Sequence, residues 1–259
     1  MNGGRVRPVQ RGPMTGLIAV LVLLGGLDAS VGLDVAGWLA GIVSGVIASA
    51  ALGRGLTHHR LACLGPADLV TSTRATLACG VAALTADSFD RPAPVPTLVA
   101  MTIVALVLDW VDGRVARRTQ TASPLGARFD LEVDAFLILV LSVYVARSAG
   151  AWVLAIGAAR YALLVAGGLL PWLREAAPPR PWSKVVAAIQ GVVLMSAAAD
   201  VLPRFWTHAA LVVALALLTE SFSREVWSLW RHRYLAAVGV VFSPPEPVSG
   251  TGAARGVAT

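Results

Sequence analysis

Val95–Arg118 reads VPTLVAMTIVALVLDWVDGRVARR. A nearly uninterrupted apolar run passes directly into Asp109, Asp112, Arg114, Arg117 and Arg118. Such a run is read as a bilayer-crossing helix that ends in acids at the membrane edge, and charge that close to lipid is costly and usually functional. On one helix Asp109, Asp112, Gly113 and Ala116 stand at i, i+3, i+4 and i+7 and share a face. Gly126, Asp130 and Asp134 follow at intervals of four and share a face of the next helix. If the two helices face each other, four carboxylates meet, with Gly and Ala leaving room beside them. Four acids so close cannot all stay ionised without compensation, and oxygen-only ligands suit Mg²⁺ or Mn²⁺.

The surrounding chain has the composition of a membrane protein. Its 259 residues are 56% hydrophobic and 14% charged, against about 25% charged in a typical soluble domain. Eight apolar segments are expected as spans, at about 14–32, 35–54, 66–86, 95–114, 129–147, 150–170, 184–202 and 205–228. With the N-terminus inside, 16 of the 21 basic residues fall in inside loops and tails. Arg91, Arg147 and Arg204 fall outside, and Arg74 and Arg160 lie within spans. That bias predicts a cytoplasmic N-terminus and a cytoplasmic acid cluster. It also accounts for the net charge of +6 without nucleic acid as a partner. The expected fold is all-α, a polytopic membrane helix bundle with a six-span catalytic core and an N-terminal two-helix hairpin. The expected boundaries are 1–56 for the basic segment and hairpin, 57–233 for the core and 234–259 for a disordered tail. A cleaved signal peptide fits less well, because a second apolar block follows the first at once.

Several second-rank features read as structural. Gly37, Gly41 and Gly45 make a small-residue stripe for helix packing. Cys63 and Cys79 suggest neither a disulfide nor a metal site. Trp227 and Trp230 beside Arg231 and Arg233 resemble an interfacial anchor, and Glu220 with Arg224 a helix-surface ion pair. Glu132 lies between Asp130 and Asp134 but on another face of the helix, so it is not assigned to metal. Arg74 and Arg160 stand inside spans with no acid in their own segments. They are either counter-ions of the acid cluster or binders of substrate phosphate. Lys184 either contacts an acidic acceptor or is a solvated interfacial lysine.

The spacing D-x2-D-G-x2-A-R-x8-G-x3-D-x3-D, met by Asp109, Asp112, Gly113, Ala116, Arg117, Gly126, Asp130 and Asp134, resembles the signature of the CDP-alcohol phosphatidyltransferases. Pro66-Ala-Asp-Leu-Val-Thr71-Ser-Thr-Arg74 is similar to the P-x-N-x-x-T-x-x-R segment of that family, with Asp68 where Asn is usual. The resemblance implies a membrane transferase that moves a phosphatidyl-type group from a CDP-alcohol to an alcohol, releasing CMP. It implies that Asp109, Asp112, Asp130 and Asp134 hold two divalent ions, Mg²⁺ or Mn²⁺, and that Asp134 is the general base. Thr71, Gly113, Ala116, Arg117 and Gly126 would hold the CDP moiety. Arg74, Arg160 and Lys184 remain candidates for substrate phosphate. The implied partners are CDP-diacylglycerol or a related CDP-alcohol, a small alcohol or alcohol-phosphate acceptor, and the bilayer of the plasma membrane, with a homodimer allowed. Ala135 departs from members that use phosphorylated acceptors, which often carry Lys or Arg there. The rival readings are an ion-coupled transporter and a family member that has lost activity and serves as a scaffold. The absence of a repeat between the halves argues against the first, and the four intact acids against the second.

Overall fold

The computed structural model describes residues 11–59, 66–119, 124–169 and 181–239. These form eight α-helices: α1 Arg11–Val31, α2 Val35–His59, α3 Pro66–Asp87, α4 Val95–Thr119, α5 Pro124–Ala149, α6 Leu154–Leu169, α7 Pro181–Ala198 and α8 Arg204–Gly239. No strand occurs among the described residues. The all-α polytopic bundle expected from the apolar pattern is therefore present. Stretches long and apolar enough to cross a membrane lie in α1, α2, α6 and α8, and shorter apolar stretches occupy Val95–Val111 of α4 and Val185–Ala198 of α7. The outward faces are apolar too: Val22, Ile47, Val107, Val165 and Val213 are all exposed, as lipid contact requires.

Helix α3 is the axis of the bundle. It packs against α1, α2, α4 and α5, and Ala78, Cys79, Val81, Ala83 and Leu84 along it are almost fully buried. Its small residues suit that place, since helices in lipid associate by close packing rather than by excluding water. Gly80 shows how close the packing is. A Cβ there would sit 2.4 Å from Cε of Met101 on α4. The α2 glycine stripe works the same way, because a Cβ at Gly41 would meet Leu24 of α1 at 2.6 Å. Thus α1 and α2 form the expected hairpin, and both lie against α3.

At one end of the bundle the α1–α2, α3–α4 and α5–α6 turns are tied together. Gly32 ends α1 in the left-handed region (φ 67°) with its N–H bonded to the Asp28 carbonyl at 2.8 Å. Asp87 accepts the Asp34 N–H at 2.8 Å and two Arg91 N–H groups at 2.7 and 2.9 Å, while Arg91 also donates to the Gly32 carbonyl. Arg147, near the end of α5, donates to Ser88 Oγ at 2.6 Å and lies over the Phe89 ring. Helix α8 has 36 residues, about 54 Å, and so overshoots a bilayer core of about 30 Å. It continues past Tyr234, where the sequence suggested the ordered core would end. Residues 240–259 lie outside the described residues. Helix α2 likewise continues through His59, past the expected end of its span near residue 54.

Candidate metal and nucleotide site

The opposite end of α3 carries the acids. Arg74 stands 13 residues before Asp87, about 20 Å along the helix. One turn earlier lies Thr71, which is also buried. Helix α4 brings Asp109 and helix α5 brings Asp130 and Asp134. One carboxylate oxygen from each of these three acids lies within 4.8 Å of the others. The two-helix convergence expected from the spacing is thus met for the three acids whose side chains are described.

The arrangement differs from two helices simply facing each other. Helix α3 packs against both α4 and α5 and places a guanidinium between the two half-sites. Arg74 Nη1 pairs with Asp109 at 3.0 Å and with Asp130, and Nη2 pairs with Asp134. Arg74 is 1% exposed, whereas Asp109, Asp130 and Asp134 keep 39%, 27% and 26% of their surface. The acids are therefore partly exposed, while the cation between them is buried. Nε of Arg74 is buried without a hydrogen-bond partner among the described residues.

The other expected residues divide into placed and undescribed. Asp112, Gly113, Ala116 and Arg117 all lie on α4, and Gly126 lies on the first turns of α5. Gly113 and Gly126 are half-buried, while the side chains of Asp112, Ala116 and Arg117 fall outside the described residues. Lys184 lies on α7, and its side chain is likewise undescribed. Arg160 of α6 is not at the acid cluster. Its Nη2 pairs with Glu132 of α5 at 2.7 Å, and its Nε is buried without a partner among the described residues. Sequence spacing put Glu132 on a different face from Asp130 and Asp134, but it did not reveal that this face meets α6. Two arginines that looked alike by depth thus have different surroundings.

The donor set fits a divalent ion. Among the described side chains, three carboxylates converge on one guanidinium, and the ligand atoms they offer are all oxygen. Asp109, Asp130 and Asp134 are the residues that would hold it, with Asp112 one helical turn beyond Asp109 on α4.

An apolar groove of about 720 Å³ between α6 and α8 is lined by Ala155, Ala159, Leu215, Phe222, Trp227 and Trp230, among others. It contains no titratable side chain and is formed by other helices than those bearing the acids.

No curated protein and no solved structure matches the chain. The family model for CDP-alcohol phosphatidyltransferases matches residues 65–220, well over half of the sequence. That match starts just before α3 and takes in Asp109, Asp130 and Asp134. With the spacing of the acids and their convergence around Arg74, the chain belongs to the CDP-alcohol phosphatidyltransferase family.

Proposed function

We propose that this protein is a divalent-metal-dependent transferase that moves a phosphatidyl-type group from CDP-diacylglycerol, or a closely related CDP-alcohol, to an alcohol acceptor at the cytoplasmic face of the plasma membrane. The observation that carries it is the convergence of Asp109, Asp130 and Asp134 from two helices, in the spacing of the family signature. The loop charges support the orientation, since the end of the bundle holding Arg91 and Arg147 is poor in basic residues.

In this reading the diphosphate of the donor lies over the open acids, and the nucleotide lies against the Gly113 and Gly126 faces. Bound at the acids, two Mg²⁺ or Mn²⁺ ions would supply Lewis-acid stabilisation of the diphosphate charge. Asp134 accepts the proton of the acceptor hydroxyl. The hydroxyl oxygen forms a new bond to the phosphorus that carries the lipid alcohol. The bond from that phosphorus to the CMP oxygen breaks, and CMP leaves with the electron pair. Asp134 then passes its proton to water. A site open to solvent at the membrane edge suits a donor with a soluble head and apolar tails.

Ala135 bears on the acceptor. It is buried beside Asp134, so no charged side chain reads an acceptor phosphate from that position. This favours an unphosphorylated alcohol as acceptor.

The test is CMP release from membranes containing the full chain, given CDP-diacylglycerol, Mg²⁺ or Mn²⁺ and a panel of alcohols. Metal-dependent release with at least one acceptor is expected. Its absence across a broad panel, with folded protein, would overturn the reading. Asp134→Asn should lower turnover by about 10²–10⁴-fold, the usual contribution of a positioned base, while CDP-alcohol binding persists. Retained turnover in that variant would remove Asp134 from the role of base.

A further inference from the structure

The sequence left Arg74 with two readings, a counter-ion or a ligand for substrate phosphate. In the structure its guanidinium occupies the place toward which three carboxylates converge. Nη1 holds one oxygen each of Asp109 and Asp130, and Nη2 holds one of Asp134. A divalent ion bound by the same acids needs oxygens at about 2.0–2.2 Å. It would stand a few ångströms from a guanidinium that has no solvent around it, where repulsion is poorly screened. The ion and Arg74 therefore compete for the same lone pairs.

Two observations make Arg74 a counter-ion that can give ground. Its Nε is buried and unpaired among the described residues, so the protein does not use the whole fork. The acids it holds are each at least a quarter exposed, so an ion can reach them from solvent without unfolding the site. Without metal, removing Arg74 would take away the cation that all three close acids contact, an expensive change.

Resting on the metal site proposed above, we propose that Arg74 is the resident counter-ion of the carboxylate cluster and that a divalent cation enters by taking carboxylate oxygens from it. Arg74 thus holds α4 and α5 together across α3 before metal binds, and it sets a ceiling on metal affinity.

The experiment is Mn²⁺ binding to the purified full-length protein, followed by the electron paramagnetic resonance signal of free Mn²⁺. Wild type is compared with Arg74→Gln, Arg74→Lys and Asp130→Asn. Arg74→Gln should bind Mn²⁺ more tightly than wild type by about tenfold or more, because the competing charge is gone. Arg74→Lys keeps a charge but loses the fork, and should fall between the two. Thermal melts in EDTA should show Arg74→Gln below wild type, with the gap closing as Mn²⁺ is added. Mn²⁺ affinity in Arg74→Gln that equals or falls below wild type would overturn the inference. Should Arg74→Gln not fold, Arg74→Lys decides, and affinity no tighter than wild type overturns it. Loss of Mn²⁺ binding in Asp130→Asn together with unchanged Arg74 variants would sink this inference and leave the metal site standing. No Mn²⁺ binding by wild type would sink both.

Discussion

The two ends of α3 carry two ionic clusters of opposite character. At the turn end Asp87 pairs with Arg91, with Asp34 and Asp28 also near that guanidinium, and both Asp87 oxygens are engaged by N–H donors. At the other end three carboxylates share one guanidinium, and the acids stay partly open to solvent. A buried, fully bonded carboxylate has nothing left for a ligand, so it works as a clamp between the α1–α2 and α3–α4 turns. An acid excess around a buried cation is costly unless another cation arrives. How fully the acids are bonded and how exposed they are, more than the mere presence of charge in a membrane protein, separate a clamp from a site.

Breaking each cluster should give different losses. The largest effect is expected for Asp109→Asn or Asp130→Asn. Either should cut CMP release by well over the roughly 10–100-fold typical of changes outside the ligand shell, with the two remaining acids still holding Arg74 and limiting the loss of thermal stability. A variant with near-normal turnover would show that the acid excess is not the site.

Asp87→Asn should do the reverse, keeping turnover while lowering stability by about 1.5–3 kcal/mol, the usual range for a hydrogen bond to a charged group. The bonds from Arg91, chiefly, and the Asp34 N–H hold the Asp87 carboxyl below the usual carboxylate range. Its contribution is therefore complete above the unfolded value of about 4 and is lost as pH falls through the lowered folded value. Thermal melts of wild type and Asp87→Asn should accordingly converge as pH drops below about 4. A gap that widens in acid would contradict the clamp.

The smallest effect is expected at Glu220–Arg224 on α8, where the side chains are 38% and 68% exposed. Although Glu220 also accepts from Trp182 Nε1 at 3.2 Å, Glu220→Gln should change stability by no more than about 0.5 kcal/mol. A larger loss would mean that exposure is a poor guide to which ion pairs matter in this molecule.

Legibility in the sequence was uneven for a physical reason. The glycine stripe was readable because packing of Gly41 on Leu24 depends only on which residues share a face of α2. The acids were readable as two half-sites for the same reason. Hydropathy marked α3 and α5 as spans at 66–86 and 129–147, although neither carries a stretch as apolar as those of α1, α2, α6 and α8. Helices at the centre of a bundle meet other helices, so they can be built from Ala, Thr, Gly and charged residues without facing lipid. The Glu132–Arg160 pair escaped the reading entirely, because its members are 28 positions apart and neither helix alone shows which neighbour it faces.

What the sequence determined by itself is what helical geometry and lipid impose locally. That includes the apolar lengths, the hairpin grouping of α1 with α2, and the register that puts Asp130 with Asp134 and Asp109 with Asp112. Only the tertiary structure decided that α3 lies between the acid-bearing helices, that Arg74 belongs to their cluster, and that Arg160 belongs to Glu132. Periodicity of 3.6 residues fixes which side chains share a face. Which faces meet is chosen by close packing summed over the whole bundle, and no stretch of sequence holds that sum.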